Sequence, residues 1–110
     1  MRKRIEEYIP KALEAIKELN IADASGEVPK QFNGYISSFG ASIRQAGLLA
    51  TVLFYGEKGG AEKDRQNVVK AIEKIIAKDI QQNIKDKKLK SEVEDAAVAL
   101  KLAIRTFKLV

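Results

Sequence analysis

Lysines at positions 63, 70, 74, 78 and 85 recur every four or seven residues, the spacing that keeps side chains on one face of an α-helix. At about 100° per residue, Lys63, Lys70, Lys74, Lys78 and Lys85 fall within an arc of about 80°. Asn67 and Gln81 share that arc, and Glu62, Asp64, Glu73, Asp79 and Asp86 fall outside it. Lysines four apart are separated by ~6 Å along a helix axis, comparable with successive phosphates on a strand. Like charges at that spacing repel by ~0.2–0.5 kcal/mol per pair, a cost that a bound polyanion would relieve. A lysine-rich outer face also serves solubility alone, and that reading stands beside the first. The arc holds no aromatic residue, so a polyanion held there would be held without base stacking and without regard to base sequence.

A second constellation lies in GYISSFGASIRQAGLLATVLFY, residues 34–55. On a helical wheel Tyr35, Ile36, Phe39, Ile43 and Ala46 form a core face. Gly40 and Gly47 lie along its edge, where another helix could approach closely. Ser37, Ser38, Ala41, Arg44 and Gln45 fall opposite. The serines do not read as nucleophiles, because the chain has no histidine to activate them and no lysine marked as buried. Arg44 and Gln45 instead stand proud of a flat surface of small side chains. Arginine pairs bidentately with phosphate or carboxylate, so RNA and a protein partner both fit.

The chain has neither cysteine nor histidine. That excludes disulfides, thiolate chemistry, zinc held by nitrogen or sulfur, and imidazole catalysis. No enzyme and no cofactor is expected. Glu92, Glu94 and Asp95 mimic a metal cluster, but their place at a helix start reads as capping. Lys101, Arg105 and Lys108 share a face at the other end of that helix, where cations suit the helix dipole.

The elements that must carry these residues are helical. The 110 residues suit a single domain, 1–110, with 45% hydrophobic and 32% charged residues. The net charge of +5 is concentrated after residue 60, beyond which there is neither glycine nor proline. A first segment, about residues 3–20, repeats Ile5, Ile9, Ala12, Ile16 and Leu19 at helical period. Pro10 predicts a kink, or a start near Tyr8. Residues 21–30 form a polar loop. A second segment starts near Pro29 as first helical residue, breaks near Gly47 and resumes to Tyr55. GEKGG, residues 56–60, is a loop. A third segment spans about residues 61–84, and KDKKLK, residues 85–90, is a charged connector. The fourth opens with a Ser91–Glu94 capping box and runs as one apolar stripe to Phe107. The fold class is all-α, a compact bundle of four to five helices with an antiparallel core. The N-terminus shows no secretory signal, and the apolar run over residues 46–55 is about half the ~20 residues of a membrane span. A cytoplasmic protein without membrane contact is expected.

Three stretches carry a family resemblance: RKRIEEYIPKALEAIKE, then VPK followed by GYISSFGASIRQAGLL, and the last helix EDAAVALKLAIRTF. Over nearly its whole length the chain resembles the small helical subunit of the Cmr effector complex, the type III-B CRISPR machinery. Ala50 departs from the family pattern, which often has proline there, and leaves the backbone free to continue as helix. The tail past Phe107 is short, so contacts made there in relatives are not carried over. The resemblance implies a non-catalytic subunit in antiviral defence. It would form a filament with copies of itself beside the guide-RNA-bearing backbone subunit and near the large polymerase-like subunit. Target RNA would lie between the two filaments, and its cleavage would belong to the backbone subunit. A helical protein–protein adaptor with a merely solubilising basic face is the competing reading.

Overall fold

A computed structural model describes residues 3–56 and 62–110, so most of the predicted loop over residues 56–60 lies outside the described residues. Its helices are α1 (Lys3–Glu18), α2 (Lys30–Ala46), α3 (Leu48–Tyr55), α4 (Lys63–Ile76) and α5 (Leu89–Ile104), with short strands β1 (Glu27–Val28) and β2 (Lys108–Leu109). The all-α bundle is borne out, and every helix contributes to one buried cluster.

Helix α1 buries Ile5, Tyr8, Ala12, Ala15 and Ile16, one stripe at helical period. It does not start near Tyr8. Pro10 sits inside it on the exposed side, next to an exposed Glu6, where water can satisfy the carbonyl that proline deprives of a donor. The helix closes at Asn20, whose φ of 56° is a left-handed conformation that asparagine tolerates.

Pro29 precedes α2 as its N-cap, with an extended ψ of 133°, rather than serving as its first helical residue. Phe32, Ile36, Phe39 and Ile43 are buried, whereas Ala46 is exposed. The break falls at Gly47, where φ is 94°, a conformation that favours glycine. Ala50 lies within α3. The elbow is held by Thr51, which is fully buried, donates to the Gly47 carbonyl at 2.8 Å and meets the Ser42 hydroxyl at 2.7 Å. Close helix approach at Gly40 and Gly47 does not occur: a methyl group at either would meet nothing within 4 Å.

The third segment stops short of Ile84. Helix α4 ends at Ile76 and Ala77 turns left-handed, with φ 58°. A helix over residues 63–84 would be about 33 Å long, against about 24 Å for α1 and α5. Its last turns would overrun both neighbours and leave Ile80 and Ile84 in water. The reversal returns Ile80 to full burial and packs Ile84 against the core. Side chains stabilise it: the Ile80 N–H donates to the Glu73 carboxylate at 2.9 Å, and the Gln82 N–H donates to Asp79 at 2.9 Å, opening a 3-10 turn over Gln81–Asn83.

The Ser91–Glu94 capping box does not form. Helix α5 starts earlier, at the fully buried Leu89, and the preceding turn is held by Asp86, whose carboxylate accepts the Lys88 N–H at 2.9 Å. Alanines at 96, 97, 99 and 103 are buried around much of α5, which lets α1, α2 and α4 pack closely on it. The stripe ends as helix at Ile104, and Phe107 packs on the core from beyond it.

Helices α1 and α5 run parallel, against the expected antiparallel core. Arg4, near the start of α1, donates Nε–H to Asp95 at 2.8 Å and reaches Ser91 at 2.5 Å, near the start of α5. The chains leaving both helices therefore emerge side by side and pair as parallel strands, Glu27 with Lys108 and Val28 with Leu109. Helices α2 and α4 also start together, where Gln31 donates to Asp64 at 2.6 Å. The side chain of Asp95 is 1% exposed and that of Arg4 35%, so the pair is buried on its acidic side. Arg4→Leu should therefore cost roughly 3 kcal/mol, by leaving the carboxylate without its arginine. Arg4→Leu with Asp95→Leu should recover much of that loss, since the buried carboxylate that needed the arginine is removed with it. Urea unfolding of both variants checks this; equal losses would show that the pair does not hold α1 to α5.

Candidate nucleic-acid interface

Lys63, Lys70 and Lys74 lie on the exposed side of α4, but the predicted five-lysine line is broken beyond them. Asn67, placed on the same arc, is buried. Lys78 follows the end of the helix and turns toward α5, where its ammonium meets Glu92 at 2.8 Å and Asp86 at 3.9 Å. Lys74 pairs with Glu18 of α1 at 3.0 Å. Lys85 lies exposed beyond the 3-10 turn.

These pairs answer the repulsion argument. The hydrogen bond to Glu92 raises the Lys78 ammonium above its ordinary value, with further help from Asp86 and against some desolvation. The hydrogen bond from Lys74 holds Glu18 below the usual carboxylate range. The clustered lysines are thus relieved by carboxylates of their own chain. A phosphate at Lys74 or Lys78 would have to displace them.

Lys63, Lys70 and Lys85 have no ion-pair partner among the described residues. Lys70 edges an open depression of about 470 Å³ between α4 and the end of α1, shared with Leu19 and Lys74. Beside Lys85 in sequence, Lys87, Lys88 and Lys90 are all exposed. They make the turn into α5 a basic tip, which the run KDKKLK signalled and helical periodicity could not.

Arg44 and Gln45 are exposed on the last turns of α2, as are Ser37 and Ser38 further up the helix. Arg44 lies on a separate groove between α2 and α5, together with Lys101, whose ammonium hydrogen-bonds the Ser37 hydroxyl. Lys101, Arg105 and Lys108 do not form one face. Arg105 follows the helix end, and Lys108 lies on β2 with its ammonium 3.9 Å from Glu27. Glu92 and Asp95 bind cations of their own chain rather than capping α5. Among the described residues no cluster of metal-ligating side chains forms.

One surface went unassigned in the sequence, where residues 46–55 read only as an apolar run too short for a membrane span. Helix α3 carries no charge, and Leu49, Leu53 and Phe54 are exposed on it, Phe54 to 62%. Arg65 lies over the Tyr35 ring at 4.7 Å and near Phe54 at 5.7 Å, bordering the apolar patch with a cation. No helix among the described residues is long and apolar enough to cross a membrane.

The family model described as CRISPR-associated protein (Cas_Cmr5) matches residues 4–104. No curated protein and no solved structure matches the chain.

Glu73 sits between Lys70 and Lys74 and holds the reversal that removes Lys78 from their line. Burial pushes its carboxyl above the ordinary range, the Ile80 N–H pulls it back in part, and Asp79 adds to the rise. A raised value in the folded state means that folding favours the protonated form. Its contribution is complete below the ordinary glutamate value and is lost as pH rises through the raised one. Glu73→Gln keeps an acceptor for Ile80 without the charge. Thermal melts from about pH 4 to about pH 8 should show the variant matching wild type at the acid end and exceeding it at the neutral end. A variant less stable than wild type at neutral pH would show that the reversal needs the carboxylate charge.

Proposed function

We propose, from the premise that this chain belongs to the Cas_Cmr5 family of CRISPR-associated proteins, that it is a non-catalytic small subunit of a Cmr ribonucleoprotein. It joins copies of itself beside the guide-RNA backbone and touches target RNA by charge. The observation that carries the RNA contact is the division among its lysines. Lys74 and Lys78 are neutralised internally, while Lys63, Lys70, Lys85 and the tip formed by Lys87, Lys88 and Lys90 are exposed with no carboxylate within ion-pair distance among the described residues. Exposed free cations suit phosphates, and lysine contacts to phosphate read no base.

The exposed apolar side of α3 favours a protein contact as well. A patch of Leu49, Leu53 and Phe54 without a charged residue is the composition of an interface centre. On this proposal the subunit uses α3 for assembly and its lysines for RNA. The adaptor reading keeps the first role and discards the second.

Binding of single-stranded RNA across a salt series separates the two. Lys63→Glu, Lys70→Glu and Lys85→Glu together should weaken binding and flatten the salt dependence, by roughly 0.7 in log–log slope for each phosphate no longer neutralised. Reversal of Lys3, Lys17 and Arg105, exposed elsewhere, is the control. Loss of affinity in the control alone would move the RNA surface away from these lysines, and no salt-dependent binding in any form would leave the adaptor.

Assembly is tested separately. Phe54→Asp should prevent co-purification with the other Cmr subunits while shifting stability by no more than about 0.5 kcal/mol, because the ring lies at the surface. Normal assembly of that variant would exclude the α3 patch as the docking face.

A further inference from the structure

We propose that the groove between α2 and α5 seats one nucleotide of a single-stranded RNA, a placement that rests on the chain being an RNA-contacting subunit. The groove has a volume of about 370 Å³ and is bordered by Ser37, Gly40 and Arg44 on α2 and by Glu94, Val98 and Lys101 on α5, with Asp95, whose carboxylate is paired with Arg4, also in its lining. It exists because the facing side chains are small. A methyl group at Gly40 would meet nothing within 4 Å, and Val98 offers an apolar wall that is 44% exposed.

Its two cations lie at its two ends. The helices run antiparallel, since α2 leaves β1 at the end of the bundle where α5 enters β2. Lys101 is anchored by the Ser37 hydroxyl at one end. Arg44, two helical turns or about 10 Å further along α2, stands at the other. Neither cation is paired with a carboxylate within 4 Å among the described residues, in contrast to Lys74 and Lys78. Apolar walls at Ile36, Ala97 and Val98 between a cation toward each end match a nucleoside flanked by its two phosphates, and of the two carboxylates in the lining Asp95 is already paired with Arg4. An acidic peptide would not require the trough between them.

Glu94 refines the fit. It lies on α5 two turns before Lys101, at the Arg44 end, and is not ion-paired with a described residue. Its carboxylate repels phosphate but accepts hydrogen bonds from exocyclic amino groups, as acidic side chains do from cytosine N4. The groove therefore favours cytosine over uracil, which offers no amino group. This base preference is distinct from the base-indifferent charge contact of Lys63, Lys70 and Lys85.

The test uses oligocytidylate and oligouridylate probes with the purified full-length chain and with the assembled ribonucleoprotein. Gly40→Leu fills the trough at a helical position with room for a side chain, and Arg44→Gln with Lys101→Gln removes both end charges. Each should weaken oligocytidylate binding at least tenfold with the helical melt intact, and Glu94→Ala should abolish the preference over oligouridylate. Wild-type binding that both groove variants retain, and that only the Lys63, Lys70 and Lys85 reversal weakens, would overturn the groove and leave the RNA reading standing. Absence of RNA binding in wild type, alone and assembled, would overturn both. If Gly40→Leu detaches the chain from its complex while RNA affinity persists, the trough receives a protein side chain and the nucleotide assignment is wrong.

Discussion

A carboxylate taken almost wholly out of water must be met by a cation held in place, and Asp95 obtains one from Arg4 across the interface of α1 and α5. Much of the bundle's geometry agrees with that single pairing. It joins the starts of the first and last helices, which makes them parallel and brings their trailing chains together as β1 and β2. The strand pair then ties the Val110 carbonyl to the Lys30 N–H at 2.9 Å, at the entrance to α2. The direction of α2, and with it the groove against α5, is linked to the same end of the molecule.

A second constraint is length. The core is as long as α1 and α5, so α4 cannot exceed it without exposing the isoleucines that follow. Glu73 and Asp79 supply acceptors for the backbone donors that the reversal frees, and Ile80 is buried beneath them. The reversal moves Lys78 from a prospective RNA face to an internal brace against Glu92. It also lifts Lys85 and the lysines after it to the end of the bundle. One packing requirement thus sorts the basic residues into structural and available groups.

The available surfaces are chemically unlike one another. The exposed lysines are charged, the α3 patch is apolar and uncharged, and the α2–α5 groove sets apolar walls between Arg44 and Lys101, with Glu94 and Asp95 in its lining. The proposed contacts with protein neighbours and with nucleic acid call for such a division, because desolvated lysines weaken a protein interface and apolar side chains do not hold phosphate.

Periodicity by itself determined the helices with a long apolar stripe. Ile5 to Ile16, Phe32 to Ile43 and Val93 to Ile104 could be read directly, because burial on one side of a helix requires a 3.6-residue repeat. Gly47 was legible as a break for the same local reason, its freedom at positive φ. The exposed Arg44 and Gln45 followed from the wheel of α2. Residues whose roles depend on partners distant in the chain were not legible. Ser91 and Asp95 looked like a helix start, but their partner Arg4 is 87 and 91 residues away. Ala77 is no helix breaker by type, yet it takes the left-handed conformation that ends α4. Lys74 and Lys78 carry the same charge as Lys70 in sequence, and only the fold brings Glu18 and Glu92 to them. A local pattern specifies how a segment buries its own face; which charges remain free depends on where the other segments end, and only tertiary packing decides that.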